Sequence, residues 1–188
     1  MITVMKFGGT SVGSPEALHR AADIIMGKEG SKIVVSSAMA GVTNFLVSET
    51  DNLPHSRNEM IEGFEKKHID VANQMFSGEQ LAEFMRDFDE RMNSFRALLH
   101  DESASKDPYY RDNITSQGER FSTLILCHVL RGLGAKAVAL TSEECGIVAE
   151  GRPLSGSADL HKTEAMMAMK VKPYLDEGII PIITGFYG

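Results

Sequence analysis

A layered α/β fold built on a mainly parallel sheet is what this sequence predicts, and three observations predict it. Apolar runs with strand character recur at 2–7 (ITVMKF), 32–37 (KIVVSS), 135–140 (AKAVAL) and 179–186 (IIPIITGF), with helix-patterned segments between them. The first strand, helix and second strand fit within about 35 residues, the length of a βαβ unit, and such a unit implies parallel strands joined by a right-handed crossover. Hydrophobic residues at 43% and charged residues at 24% belong to a chain able to bury a substantial core.

Each element has its own local signal. Between the first two strands, Ser14 can cap a helix and Pro15 suits its first turn. Ala17, Leu18, Ala21, Ala22 and Ile25 then fall on one face. The small-residue stretch SAMAGVTNF after the second strand leads into a further helix. Residues 57–101 contain no proline and read as two helices meeting near Ser77 and Gly78, a helical hairpin inserted at about 50–110. The turn-rich DPYYRDNITSQG at 107–118 reads as a loop, followed by a helix from Glu119 to about Arg131 that stops at Gly132 and Gly134. The mix of glycine, serine and proline at 146–160 suggests a short strand or hairpin, and a last helix is expected over 163–177, ending at Gly178.

Charge and composition narrow the function. A formal net charge of −7, from 19 basic and 26 acidic residues, argues against a nucleic-acid partner, which needs a clustered basic surface. No apolar stretch approaches the roughly 20 residues of a membrane span, and the N-terminus lacks signal-peptide organisation. A cytoplasmic location is therefore expected, with Cys127 and Cys145 as free thiols. The histidines at 19, 55, 68, 100, 128 and 161 lack ligand spacing, so no metal site is expected. Methionines 166, 167 and 169 read as core and helix surface.

The stretch VMKFGGTSVGS at 4–14 carries the clearest chemical signal. A lysine at the carboxyl end of a strand precedes two glycines, where backbone can approach a ligand without side-chain obstruction. The amides of Gly8, Gly9, Thr10 and Ser11 can converge on one anion just before a helix, with Lys6 adding a full positive charge. Ligands bind at that end of open α/β sheets. Neither the P-loop spacing nor G-x-G-x-x-G is present. A tight strand-to-helix turn with a solvated lysine is the alternative reading of the same residues.

KFGGTSVGS at 6–14 resembles the N-terminal signature of the aspartate kinases, within the amino-acid-kinase superfamily. Three further blocks follow in the matching order: VVSSAMAGVTNFL at 34–46, SQGERFSTLIL at 116–126 and GIIPIITGFYG at 178–188, the last with Tyr187 where isoleucine is usual. The resemblance implies a three-layer α/β/α fold of the amino-acid-kinase (carbamate-kinase-like) type. It also implies ATP-dependent phosphorylation of the β-carboxylate of L-aspartate, the first step toward lysine, threonine and methionine. By motif, Lys6 is the catalytic cation at the transferring phosphoryl group, with Gly8, Gly9, Thr10 and Ser11 around the phosphate. Ser37 and Thr43 hold substrate or phosphate oxygens, Glu119 meets the α-ammonium of aspartate and Arg152 its α-carboxylate. Mg²⁺ enters with ATP and has no protein ligands of its own. The full-length protein is expected to be a homo-oligomer.

Simpler roles stand beside these. Ser116 and Glu119 have capping-box spacing, S-x-x-E; Thr43 can cap a helix beginning near Asn44; Arg152 can be a solvated loop arginine; Asp159 reads as a turn residue. The resemblance further implies that residues 1–188 are the substrate-binding part of the kinase domain. A glycine-rich GRGGSD-like loop, the nucleotide-binding half and regulatory domains would lie beyond it, so that 1–188 alone would have little activity. Phosphorylation of glutamate, acetylglutamate or carbamate, or a non-catalytic aspartate-binding or oligomerisation module, are the alternative functions.

Overall fold

The computed structural model describes residues 1–151 and 156–185. Four parallel strands form the central sheet in the order β1-β2-β6-β3: β1 (Ile2–Phe7), β2 (Ser31–Ser36), β3 (Ala137–Leu140) and β6 (Ile180–Thr184). A separate antiparallel pair joins β4 (Ala149–Glu150) to β5 (Ser157–Ala158). The helices are α1 (Pro15–Gly27), α2 (Val42–Thr50), α3 (Arg57–Met75), α4 (Gly78–His100), α5 (Tyr110–Thr115), α6 (Gln117–Gly132), α7 (Ser142–Cys145), α8 (Leu160–Lys170) and α9 (Lys172–Asp176).

Alternation along the strands splits the interior into two layers, because successive side chains leave a strand on opposite faces. Phe7, Val34, Ala137, Ile180 and Ile182 join the larger core with α1, α3, α4 and α6. Leu140 and Ile183 face the other way, against Cys145 and Val171, with Ile33, Val138, Met167 and Tyr174 packed around them. This is an α/β fold with helices on both sides of a parallel sheet, as expected from the sequence.

The helix α1 begins as the sequence dictates: Ser14 Oγ accepts the Ala17 amide at 3.3 Å, Pro15 opens the first turn, and Ala17, Leu18, Ala21, Ala22 and Ile25 are buried. The long helices α3 and α4 owe their position to aromatic packing. Phe64, Phe84, Phe88, Phe95 and Phe121 are all fully buried, and Phe64 meets Phe121 edge to face at 4.9 Å and 90°. Such pairs add about 1 kcal/mol beyond area burial. They lock the hairpin onto α6, the helix that bears Glu119.

Four local expectations need correction. Residues 110–115 are helical rather than loop, because Ile114 is buried. The helix expected from Glu119 begins at Gln117, and Ser116 does not cap it. Ser116 has αR geometry, with φ −63° and ψ −20°, and its hydroxyl donates to the Asn113 carbonyl at 3.0 Å. The capping box lies elsewhere: Thr141 Oγ1 accepts the Glu144 amide, and Glu144 Oε2 accepts the Thr141 amide. The helix expected over 163–177 is two helices, α8 and α9, dividing at Val171 ahead of Pro173. Among the described residues no helix is long and apolar enough to cross a membrane.

Candidate active site

The carboxyl ends of β1, β2 and β6 bring four segments together. Lys6 is the last exposed residue of β1, and its Nζ donates to Ser37 Oγ at 3.1 Å. Ser37 is held by its backbone on both sides. Its amide donates to the Phe7 carbonyl at 3.0 Å, and its carbonyl accepts the Ser122 hydroxyl of α6 at 2.6 Å. The side chain is thereby aimed at the lysine by main-chain bonds, which need no ligand to form.

The glycine turn packs directly against the next loop. Gly9 to Ser11 form a single 3₁₀ turn, in which the Ser11 amide donates to the Gly8 carbonyl at 2.8 Å. Ser11 therefore spends its amide within the turn, which corrects the expectation that all four amides point at one anion. The amides of Gly8, Gly9 and Thr10 have no backbone partner outside the turn among the described residues. The Gly9 carbonyl accepts the Ala40 amide at 3.1 Å. A Cβ on Gly9 would stand 2.7 Å from the Ala38 carbonyl oxygen, so no other residue fits there unstrained.

The second loop turns into α2 through Gly41, whose φ of +79° is the left-handed conformation that favours glycine. Thr43 is the second residue of α2 and is exposed; Gly41, not Thr43, occupies the cap position. The first turn of α6 comes close to this loop because Gly118 has no side chain. A Cβ there would lie 2.8 Å from Ala38 Cβ and 3.0 Å from Val42 Cγ1.

Glu119 sits in that first turn, where a carboxylate is favoured by the helix dipole. It faces the end of β6: a Cβ placed on Gly185 would be 3.6 Å from Glu119 Oε2 and 3.3 Å from Val35 Cγ1. The Gly185 amide continues the sheet by donating to the Ser36 carbonyl at 3.1 Å. Lys6, the Gly8–Ser11 turn, Ser37 and Glu119 thus converge at one end of the sheet, with Thr43 one helical step beyond the second loop. Arg152 lies outside the described residues, as does Tyr187. Asp159 caps α8, its Oδ1 accepting the Lys162 amide at 3.1 Å.

Ser122, Gly118 and Gly185 are the contributors that sequence reasoning did not single out. Ser122 follows Glu119 by three residues on α6, so helical spacing already placed both on one face. A basic group beside exposed amides can hold a phosphoryl or carboxylate group, and Glu119 can hold a cation. Among the described residues no cluster of three or more metal-ligating side chains occurs.

A parallel α/β sheet with a lysine at the carboxyl end of its first strand, directly before a glycine turn, is the frame of this site. The chain belongs to the amino acid kinase family, whose model matches residues 1–188. It is 28% identical over 195 aligned residues to the lysine-sensitive aspartokinase 3 of Escherichia coli K12, covering 100% of this chain and 41% of that protein. It is 31% identical over 149 residues to an aspartokinase of Chlamydia trachomatis, covering 75% of this chain and 32% of that one. The crystal structure of E. coli aspartokinase III in complex with aspartate and ADP superimposes with a TM-score of 0.85 at 27% identity, over 99% of this chain and 41% of that one. Aspartate kinase from Clostridium acetobutylicum, at 16% identity and a TM-score of 0.67, shares the fold. The chain spans about two fifths of the length of the E. coli relative.

Proposed function

We propose that this chain forms the acceptor-substrate side of an aspartate kinase, which transfers the γ-phosphoryl group of ATP to the β-carboxylate of L-aspartate and yields 4-phospho-L-aspartate. That product would lead toward lysine, threonine and methionine. The observation that carries the reading is the Lys6–Ser37 pair beside the glycine turn, with Glu119 on the neighbouring helix. The similarity to aspartokinases along the whole chain supports it.

The chemistry suits these groups. The attacking β-carboxylate is ionised at neutral pH, with an ordinary pKa of about 3.9, so no general base is required. Transfer then depends on alignment and on neutralising the charge spread over the phosphoryl oxygens. Lys6 supplies a full positive charge at that point, and the amides of Gly8, Gly9 and Thr10 supply oriented donors. Ser37 and Thr43 position oxygens of phosphate or substrate. Glu119 takes the α-ammonium of aspartate, and Arg152 is assigned its α-carboxylate by motif alone. Mg²⁺ would accompany ATP. The complete protein is proposed to be a cytoplasmic homo-oligomer.

The test is a substrate panel on the complete protein. L-Aspartate, L-glutamate, N-acetyl-L-glutamate and carbamate are supplied with Mg-ATP, and acyl phosphate is trapped with hydroxylamine. Turnover with L-aspartate alone is the expected result. Turnover with another acid in its place, or aspartate binding with no product, would reject the assignment.

A further inference from the structure

A cleft of about 420 Å³ opens between α4, α6 and β3 and contains neither Lys6, Ser37 nor Glu119. Its size is that of a small-molecule pocket. Leu124, Cys127 and Val138 contribute an apolar part of its lining. Three arginines and three carboxylates complete the charged part, and most of these are already committed. Arg120 pairs with Glu143. Asp87 accepts from His128 Nε2 at 2.9 Å, with Arg131 Nη1 3.9 Å away. Glu144 closes the Thr141 capping box.

Arg91 is the exception. It is half-buried on α4, and its Nη1 donates to the Arg120 carbonyl at 2.7 Å, which fixes the guanidinium plane. No carboxylate of the described residues lies within 4 Å of it. Burial lowers its pKa, as befits a guanidinium partly stripped of water. A guanidinium held in plane with further N–H groups to offer is preorganised for a carboxylate. The adjacent residue, Glu90, is exposed at the rim of the cleft and forms no ion pair with the described residues.

One available cation, one available anion and an apolar lining match a particular ligand chemistry. We propose that the cleft between α4, α6 and β3 binds a zwitterionic amino acid with a short apolar side chain, its carboxylate on Arg91 and its ammonium toward Glu90. A dianion is disfavoured because the committed groups leave the cleft close to electroneutral, with Glu90 and Glu144 on its walls. This site is separate from the aspartate site proposed above and does not depend on it.

Amide chemical-shift titration of the 188-residue chain tests the proposal, with L-norvaline, succinate and inorganic phosphate as probes. L-Norvaline should saturably shift amides of α4 near Arg91 and of α6 between Arg120 and Arg131, and bind more tightly than succinate or phosphate. Arg91→Gln should weaken norvaline binding about tenfold or more, with Arg91→Lys in between, because a lysine keeps the charge and loses the fork. Lys6→Met should titrate like the parent chain. Shifts centred on residues 6–11 and 37–43, tighter binding of either dianion, or no saturable shift would each overturn the proposal. If Arg91→Gln fails to fold, the shift map of the parent chain decides the matter.

Discussion

The Ser122 hydroxyl on α6 lies 2.6 Å from the Ser37 carbonyl at the end of β2, and Ser37 in turn receives the Lys6 ammonium on its own hydroxyl. This short relay couples the helix bearing Glu119 to the strand bearing the lysine. One part-buried contact thus links the two elements, and both sides of it can be tested.

Removing that contact should cost stability as well as activity. Ser122 is almost fully buried, and Ser122→Ala removes the shorter of two hydroxyl donors to the Ser37 carbonyl, leaving that of Ser36 at 3.2 Å, a loss of about 0.5–1.5 kcal/mol. Urea denaturation should show a lower midpoint with an unchanged slope. A stability equal to that of the parent chain would mean the hydrogen bond contributes nothing net.

Lys6→Met should behave in the opposite way. Lys6 is exposed and its bond to Ser37 lies in solvent, so the melting temperature should barely move. In the complete protein, turnover should fall by about two to three orders of magnitude, the usual loss on removing one electrostatic donor. Wild-type turnover in this variant would remove Lys6 from the transfer step.

Gly9→Ala is expected to damage the site through the backbone. The new Cβ would sit 2.7 Å from the Ala38 carbonyl oxygen, which no rotamer can relieve, so the two loops must separate. A destabilisation of about 1–3 kcal/mol follows from overpacking, with a rise in KM for ATP in the complete protein. Calorimetry on the parent and variant reads the first effect, and steady-state kinetics the second.

Stability should decline in mild acid because of His68. Burial drives its pKa from 6.5 to about 4, so the folded state keeps the ring neutral while the unfolded chain takes up a proton. Stability is full above pH 6.5 and is lost as the pH falls from 6.5 toward 4, by about 3 kcal/mol in total. His128, also lowered chiefly by burial, adds in the same direction. Denaturation curves at pH 7, 6 and 5 should show this slope, and His68→Leu should flatten part of it.

Cys127 and Cys145 should resist thiol reagents. Burial raises their pKa values to about 11 and about 12, which leaves almost no thiolate at pH 8. An aromatic disulfide reagent should label neither until denaturant unfolds the chain. Fast labelling of either in the native state would contradict their burial.

Much of the fold was legible in local patterns. The strand–helix–strand opening, the Ser14 cap and the break near Ser77 and Gly78 all rest on short-range signals of period, capping and turn chemistry. Two of the corrections share a physical origin. Residues 110–115 became helical because Ile114 found a buried partner surface, and Ser116 lost its capping role because the chain was already helical when it reached that residue. Tertiary burial overrides local propensity in such cases.

The site divides along the same line. From the sequence alone came the lysine before two glycines, the serine-rich second loop and Glu119 as separate candidates in four ordered blocks. Only the tertiary structure decided that Ser37 meets Lys6, that Ser122 and Gly185 complete the arrangement, and that Ser11 turns its amide inward. Residue type and spacing along the chain report what chemistry is available. Distances between residues 31 or 85 positions apart depend on strand order and helix packing, which no local pattern encodes.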